Sequence, residues 1–260
     1  FGETLLGYVL IGLLLPYIIF ALLKKFFSFK YSMVLTFIFL VFPIFESFGF
    51  FHFYYMKLIA KGFGGTLGWT SLFIAILLLL STNKNHFSKD FLMSFIAGIS
   101  LIISVFCRPN ILPTVFILII GFSLLYLFQA NKTKLFGLIL GSLNFFWLSI
   151  HNFYFGSEFH LITNSSATQK NMPVTPDMWL SLIQSIFNNS INLNLFYTLL
   201  NHISIWINYF EVWLMICILS LFAILISKTV NFEKKIISIS LLAGHSIYIF
   251  YAGVPRYTYG

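Results

Sequence analysis

The chain has 260 residues, 59% hydrophobic and only 8% charged, with a formal net charge of +8. A soluble domain carries roughly 25% charged residues, so this composition excludes a domain that covers itself with polar surface in water. It predicts an all-α, polytopic membrane helix bundle. The lysines stand in short runs between apolar segments, a pattern that argues against a nucleic-acid-binding face and for charged ends of membrane spans.

A spanning helix needs about 20 apolar residues. In chain order, the segments that meet this are 4–23, 31–50, 63–81, 91–107, 110–129, 135–151, 211–227 and 236–252, about eight spans in all. The connections between them are short except one, 151–210, which is semi-polar. Within it, Met178–Phe187 and Leu195–Trp206 read as short amphipathic helices at the membrane interface. A re-entrant element protected by protein is the other reading. The whole of 1–260 reads as a single transmembrane domain, and the absence of an initiating Met suggests a fragment of a longer chain.

Charge orients the spans. With Phe1 outside, the connections 24–30, 82–90, 130–134 and 228–235 lie inside and hold ten basic residues against Asp90 and Glu233. The outer set holds Lys57, Lys61, Arg108, Lys170 and Arg256 against Glu3, Glu46, Glu158, Asp177 and Glu211. The bias is thus +8 inside against zero outside, and it alternates without violation. Both arginines of the chain and the 151–210 segment fall on the outer side.

Several outer residues suit the chemistry of an anionic or polar ligand. Cys107-Arg108-Pro109-Asn110 puts a guanidinium at a span end, where a charge costs less than at mid-membrane, and Pro109 can begin the next helix. An always-charged planar fork fits phosphate; the plainer reading is an interfacial arginine beside a helix-start proline. Pro255-Arg256-Tyr257 follows the last span and reads either as a second such cation or as an aromatic-belt anchor. His151 and Asn152 open the long loop and Glu158 follows, a set able to bind a polar group or move a proton, although a histidine at a helix end is also an ordinary structural residue. Glu46, His52, Lys57 and Lys61 lie on the same side, where a solvated loop explains them equally. Gly62-Phe63-Gly64-Gly65 reads as a flexible helix entry, and the Asn164 and Asn188 sequons are matches that an Asn-rich chain produces by chance. No HExxH, GxSxG, CxxC or phosphate-cradling Gly loop occurs, and Cys107 and Cys217 offer neither a disulfide framework nor metal spacing, so no metal or other cofactor is expected.

Three of these features together resemble the GT-C superfamily of membrane glycosyltransferases, in particular its protein-mannosyltransferase and aminoarabinose-transferase branch. They are Cys107-Arg108-Pro109-Asn110 between two spans, similar to a recurrent "RP" element; His151-Asn152 to Thr163, similar to an "RN…FG" stretch, with His in place of the usual Arg; and Arg256-Tyr257, similar to an "RY" element after a late span. The resemblance implies transfer of a sugar from a polyprenyl-phosphate donor to an acceptor at the outer face of the bacterial plasma membrane. Arg108, Arg256, Tyr257, His151, Asn152 and Glu158 would serve the lipid phosphate and sugar. It also implies a catalytic carboxylate in a first external loop, which would precede Phe1. An O-antigen ligase or polymerase, and a transporter or flippase for lipid-linked substrates, are the competing expectations. The ligase would carry more arginines in its long loop, and the transporter would carry inverted repeats and mid-membrane charges.

Overall fold

In a computed structural model, residues 2–41, 43–45, 49–50, 65–81, 87–156, 176–188, 190, 192–208 and 212–251 are described. They are helical throughout apart from their connecting turns and one short antiparallel pair, Pro43–Phe45 with Gly49–Phe50 (β1 and β2). The chain divides into two compact units, Phe1–Leu161 and Ile162–Gly260.

The first unit contains α1 (Gly2–Leu23), α2 (Phe29–Val41), α3 (Gly65–Leu79), α4 (Phe87–Cys107), a 3-10 turn (Pro109–Ile111), α5 (Leu112–Phe128), α6 (Lys132–Ser142) and α7 (Phe145–Gly156). Its core is made where α3, α5 and α6 meet α4, around Leu72, Ile76, Leu101, Leu118, Phe122 and Leu138, all essentially solvent-free. At the α1–α2 turn, the Lys24 ammonium lies 5.9 Å from the ring centre of Phe20 and 5.7 Å from that of Phe29, and these two rings meet edge to face.

α4 and α6 approach closely enough that only small residues fit between them. A Cβ at Gly98 would stand 2.7 Å from the Leu138 carbonyl oxygen, and one at Gly137 would stand 2.6 Å from that of Phe91. At Gly141 it would run into the Phe95 carbonyl. Gly137 and Gly141 form a GxxxG pair facing Ser94 and Gly98, the small-xxx-small spacing that lets helix backbones touch.

The α5–α6 connection is equally tight. Ala130 takes a left-handed backbone (φ 55°), and the Asn131 N–H reaches back to the Tyr126 carbonyl at 2.9 Å, closing the end of α5. The Asn131 side chain then accepts from the Lys134 N–H at 3.1 Å and opens α6.

α4 has 21 residues and is, among the described residues, the one helix long and apolar enough to cross a bilayer by length and composition. At 1.5 Å per residue it measures about 32 Å, against a hydrocarbon core of about 30 Å. Shorter apolar stretches lie in α1, α2, α3, α5 and the later Val212–Ile226 helix. Many large apolar side chains point outward, among them Tyr17, Phe37, Phe116 and Phe146.

The second unit contains α8 (Pro176–Phe187), α9 (Leu193–Asn208), α10 (Val212–Ile226) and α11 (Phe232–Tyr251). Leu182 of α8 and Leu199 of α9 are buried, with Met178, Trp179 and Leu195 packed against them. In the remainder of each helix apolar and polar stripes separate. Leu180, Ile183 and Phe187 are exposed along one side of α8, while Ser181, Gln184 and Asn188 lie along another.

Single helices match six of the eight expected segments with ends within a few residues, and two segments differ. The helix expected over 31–50 stops at Val41. Pro43 has no N–H to continue it and biases its predecessor away from helix, and the apolar run goes on as the strand pair instead. The span expected over 135–151 is two helices. Leu143 and Asn144 interrupt it, and the Asn144 amide donates to the Gly141 carbonyl at 2.8 Å, so a side chain takes over a carbonyl that a continuous helix would bond. α7 therefore carries on through His151 to Gly156 where the sequence suggested a loop beginning at 151.

Candidate functional site

Arg108 is the residue after α4 and stands at the head of the turn leading to α5. Its backbone N–H still bonds to Ser104 at 3.0 Å, and its carbonyl accepts from Ile111 at 3.0 Å, so its Cα is held from both sides. Pro109 opens the 3-10 turn and Pro113 sits in the first turn of α5, where a missing N–H costs nothing. The expectation that Pro109 starts the next helix is met by a 3-10 turn first and by α5 three residues later.

The side chain is half-buried and held at two places. Its Nε donates to the Asn110 Oδ1 at 3.2 Å, and its guanidinium carbon lies 5.5 Å from the ring centre of Trp69, within cation–π range. Trp69 lies near the start of α3, and Gly68 makes the approach possible. A Cβ at Gly68 would stand 3.1 Å from the Arg108 Cβ and 3.2 Å from the Ser104 carbonyl oxygen. Among the described residues no carboxylate pairs with Arg108, and its two terminal amino groups have no hydrogen-bond partner. They amount to a planar fork of four N–H donors open to an oxyanion.

The other end of α4 carries the opposite arrangement. Asp90, in the first turn, lies 4.0 Å from the Lys134 ammonium, and that ammonium lies 5.7 Å from the ring centre of Tyr126. The Tyr126 hydroxyl in turn donates to the Leu79 carbonyl at 3.5 Å, a long contact at the far end of α3 from Trp69. Eighteen residues separate Asp90 from Arg108, about 27 Å along the helix. The paired acid and lysine are thus at one end of the first unit, and the arginine without a carboxylate partner among the described residues is at the other.

His151 lies exposed on α7, with its ring 4.7 Å from that of Phe155 on the same helix. Phe145, at the start of α7, meets Phe106 near the end of α4, and His151 follows six residues on, about 9 Å further along its helix. The structure therefore places His151 on the helix that begins beside the Arg108 end of α4, without bringing the two side chains into contact. Asn152 belongs to α7, and its side chain lies outside what is described. Glu158, Arg256 and Tyr257 lie outside the described residues, as do Glu46, His52, Lys57, Lys61 and the Asn164 sequon. Among the described residues no group of three His, Cys, Asp or Glu side chains gathers as a metal site.

Trp69 was not among the residues singled out from the sequence. A tryptophan near the start of an apolar segment reads as an interfacial anchor, and its pairing with an arginine 39 positions later is a tertiary fact. The faint local signal is Gly68 beside it, a small residue where two helices press together. No protein-family model matches this chain, nor does any curated protein or any solved structure.

Proposed function

We propose that this chain is an integral membrane glycosyltransferase of about eight spans. It would move a sugar from a polyprenyl-phosphate-linked donor to an acceptor at the outer face of a bacterial plasma membrane. The observation that carries the reading is Arg108, a half-buried guanidinium set 5.5 Å from the Trp69 ring centre, with its Nε bonded to Asn110 and its terminal donors without a partner among the described residues. A structural arginine usually ends on a carboxylate or on carbonyls. One held at two places with its fork without a partner among the described residues suits an anion that arrives from outside the protein.

The distribution of charge along α4 supports the membrane and its orientation. Asp90 and Lys134 belong to the Lys-rich side of the chain, and Arg108 to the other side. Their separation of about 27 Å along the helix is close to the thickness of a hydrocarbon core. The apolar side chains on the outer surface of the first unit suit lipid contact, since in water such a surface promotes association.

In the reaction, an acceptor oxygen forms a bond to the anomeric carbon as the bond from that carbon to the phosphate oxygen breaks. The acceptor proton passes to a base, and the electron pair leaves with the lipid phosphate. The role assigned to Arg108, with Arg256 as its expected companion, is to meet the negative charge that grows on the leaving phosphate. His151, Asn152, Glu158 and Tyr257 are proposed for the sugar and headgroup, and the apolar body for the prenyl chain.

The test is reconstitution of the full chain in liposomes with a polyprenyl-phosphate-linked sugar and a lipid or peptide acceptor. Transfer that free polyprenyl phosphate inhibits is expected. Absence of transfer, together with no effect of polyprenyl phosphate on the protein's thermal stability, would overturn the proposal.

A further inference from the structure

We infer that Trp69 is the positioning residue of Arg108: its ring fixes the plane of the guanidinium so that the two terminal amino groups face one oxyanion. This rests on the reading of Arg108 as a phosphate ligand and adds to it the group that makes the arginine competent.

Three observations converge on the pair. The guanidinium carbon lies 5.5 Å from the Trp69 ring centre, and of the aromatic side chains tryptophan offers a cation the most negative face. Gly68 removes the Cβ that would otherwise push against the Arg108 Cβ and the end of α4, so the adjacent residue serves the same approach. Finally, the Trp69 indole Nε1 is buried with no hydrogen-bond partner among the described residues. A phenylalanine here would present an aromatic face without burying an orphan donor, so what sets tryptophan apart at this site is the strength of its face toward the cation.

The mechanical consequence follows from how an arginine moves. The Asn110 contact restrains Nε, but the guanidinium could still tilt about the last side-chain bonds. The cation–π contact with the Trp69 ring restrains that tilt and leaves the two terminal amino groups for an incoming anion. A phosphate met by a fork already in plane forms two parallel bonds at once.

The experiment uses the full chain in nanodiscs with farnesyl phosphate as the probe and inorganic phosphate in a parallel arm. Binding is measured for wild type, W69F, W69L, R108A and the R108A/W69L double variant. W69L is expected to weaken farnesyl phosphate binding about tenfold and W69F about two- to threefold, the range that cation–π energies convert to. In the R108A background, W69L is expected to add no further loss, which a role in packing alone would not give. Stronger binding of farnesyl phosphate than of inorganic phosphate assigns the anion to a lipid headgroup. Equal binding assigns it to free phosphate, and dependence on Trp69 supports the inference in either case.

Wild-type affinity in R108A would overturn the phosphate reading of Arg108 itself. Weak binding by R108A with wild-type affinity in W69L would leave that reading standing and overturn the role of Trp69. An equal loss on adding W69L with and without Arg108 would also overturn it. Should W69L fail to give a monodisperse preparation, W69F decides: a two- to threefold loss supports the inference, and unchanged affinity overturns it.

Discussion

The ammonium of Lys134 lies 4.0 Å from Oδ1 of Asp90, and both side chains are largely buried, at 8% and 14% exposure. The distance is at the outer limit of an ion pair, and Oδ1 of Asp90 has no hydrogen bond among the described residues. Such a pair is weak as a source of stability, yet removing one member strands the other charge in a low-dielectric setting. Asp90→Asn is therefore expected to destabilise the first unit by about 3 kcal/mol, the lower end for broken buried pairs. Asp90→Leu combined with Lys134→Met should recover most of that loss. Melting temperatures of the detergent-purified variants check this. A double variant no more stable than Asp90→Asn would show that the pair contributes more than its mutual neutralisation.

The α4–α6 contact yields a sharper expectation. Gly98, Gly137 and Gly141 face backbone carbonyls of the opposite helix, which cannot rotate aside as a side chain can. Gly141→Leu must separate the helices and uncover Ala97, Leu101 and Leu138, at a cost of a few kcal/mol, the upper range for overpacking. Leu140→Ala, one residue away on the exposed side, should cost about 0.5 kcal/mol or less. Thermal unfolding of the two variants compares them directly; similar melting points would mean that the close approach is not what holds α4 to α6.

α8 and α9 are expected to lie at the membrane surface with one stripe in lipid. On α8 that stripe is Leu180, Ile183 and Phe187, and on α9 it is Leu193, Phe196 and Leu200, all exposed. Between Met178 and Ser227 the chain has a single charged residue, Glu211, so headgroup attraction plays little part and burial should tolerate salt. In a background with Cys107 and Cys217 replaced by Ser, nitroxide labels at Ile183 and Phe187 should be more accessible to oxygen than to a water-soluble nickel chelate. A label at Gln184 should show the reverse. Equal accessibilities at the three sites would remove the case for a lipid-facing stripe.

The positions of most helices were legible because apolar runs end at charged or polar residues. The helices Leu112–Phe128 and Val212–Ile226 nearly coincide with the expected 110–129 and 211–227, and Pro176–Phe187 contains the expected 178–187. The break at Leu143–Asn144 was hidden because apolar residues flank it closely on both sides, Leu138–Leu140 before it and Phe145–Trp147 after it. A single Asn side chain bonding its own preceding turn leaves little trace in composition. Arg108 was legible as a candidate from its type and place. Its fixed geometry was not, because Trp69 reaches it through the packing of α3 on α4, and a contact between helices 39 residues apart has no local pattern. The grouping of Asp90 with Lys134 was legible only as membership of one side, from the alternation of charge.

The most direct test of the account is the rate of sugar transfer from a polyprenyl-phosphate-linked donor by wild type, Arg108→Lys and Arg108→Ala in proteoliposomes. If Arg108 meets charge on the departing phosphate, Arg108→Ala lowers kcat/KM by about 100-fold or more, the scale for losing one transition-state donor. Arg108→Lys, which keeps the charge but not the planar fork, should recover only part of it. Wild-type transfer by Arg108→Ala would contradict the account.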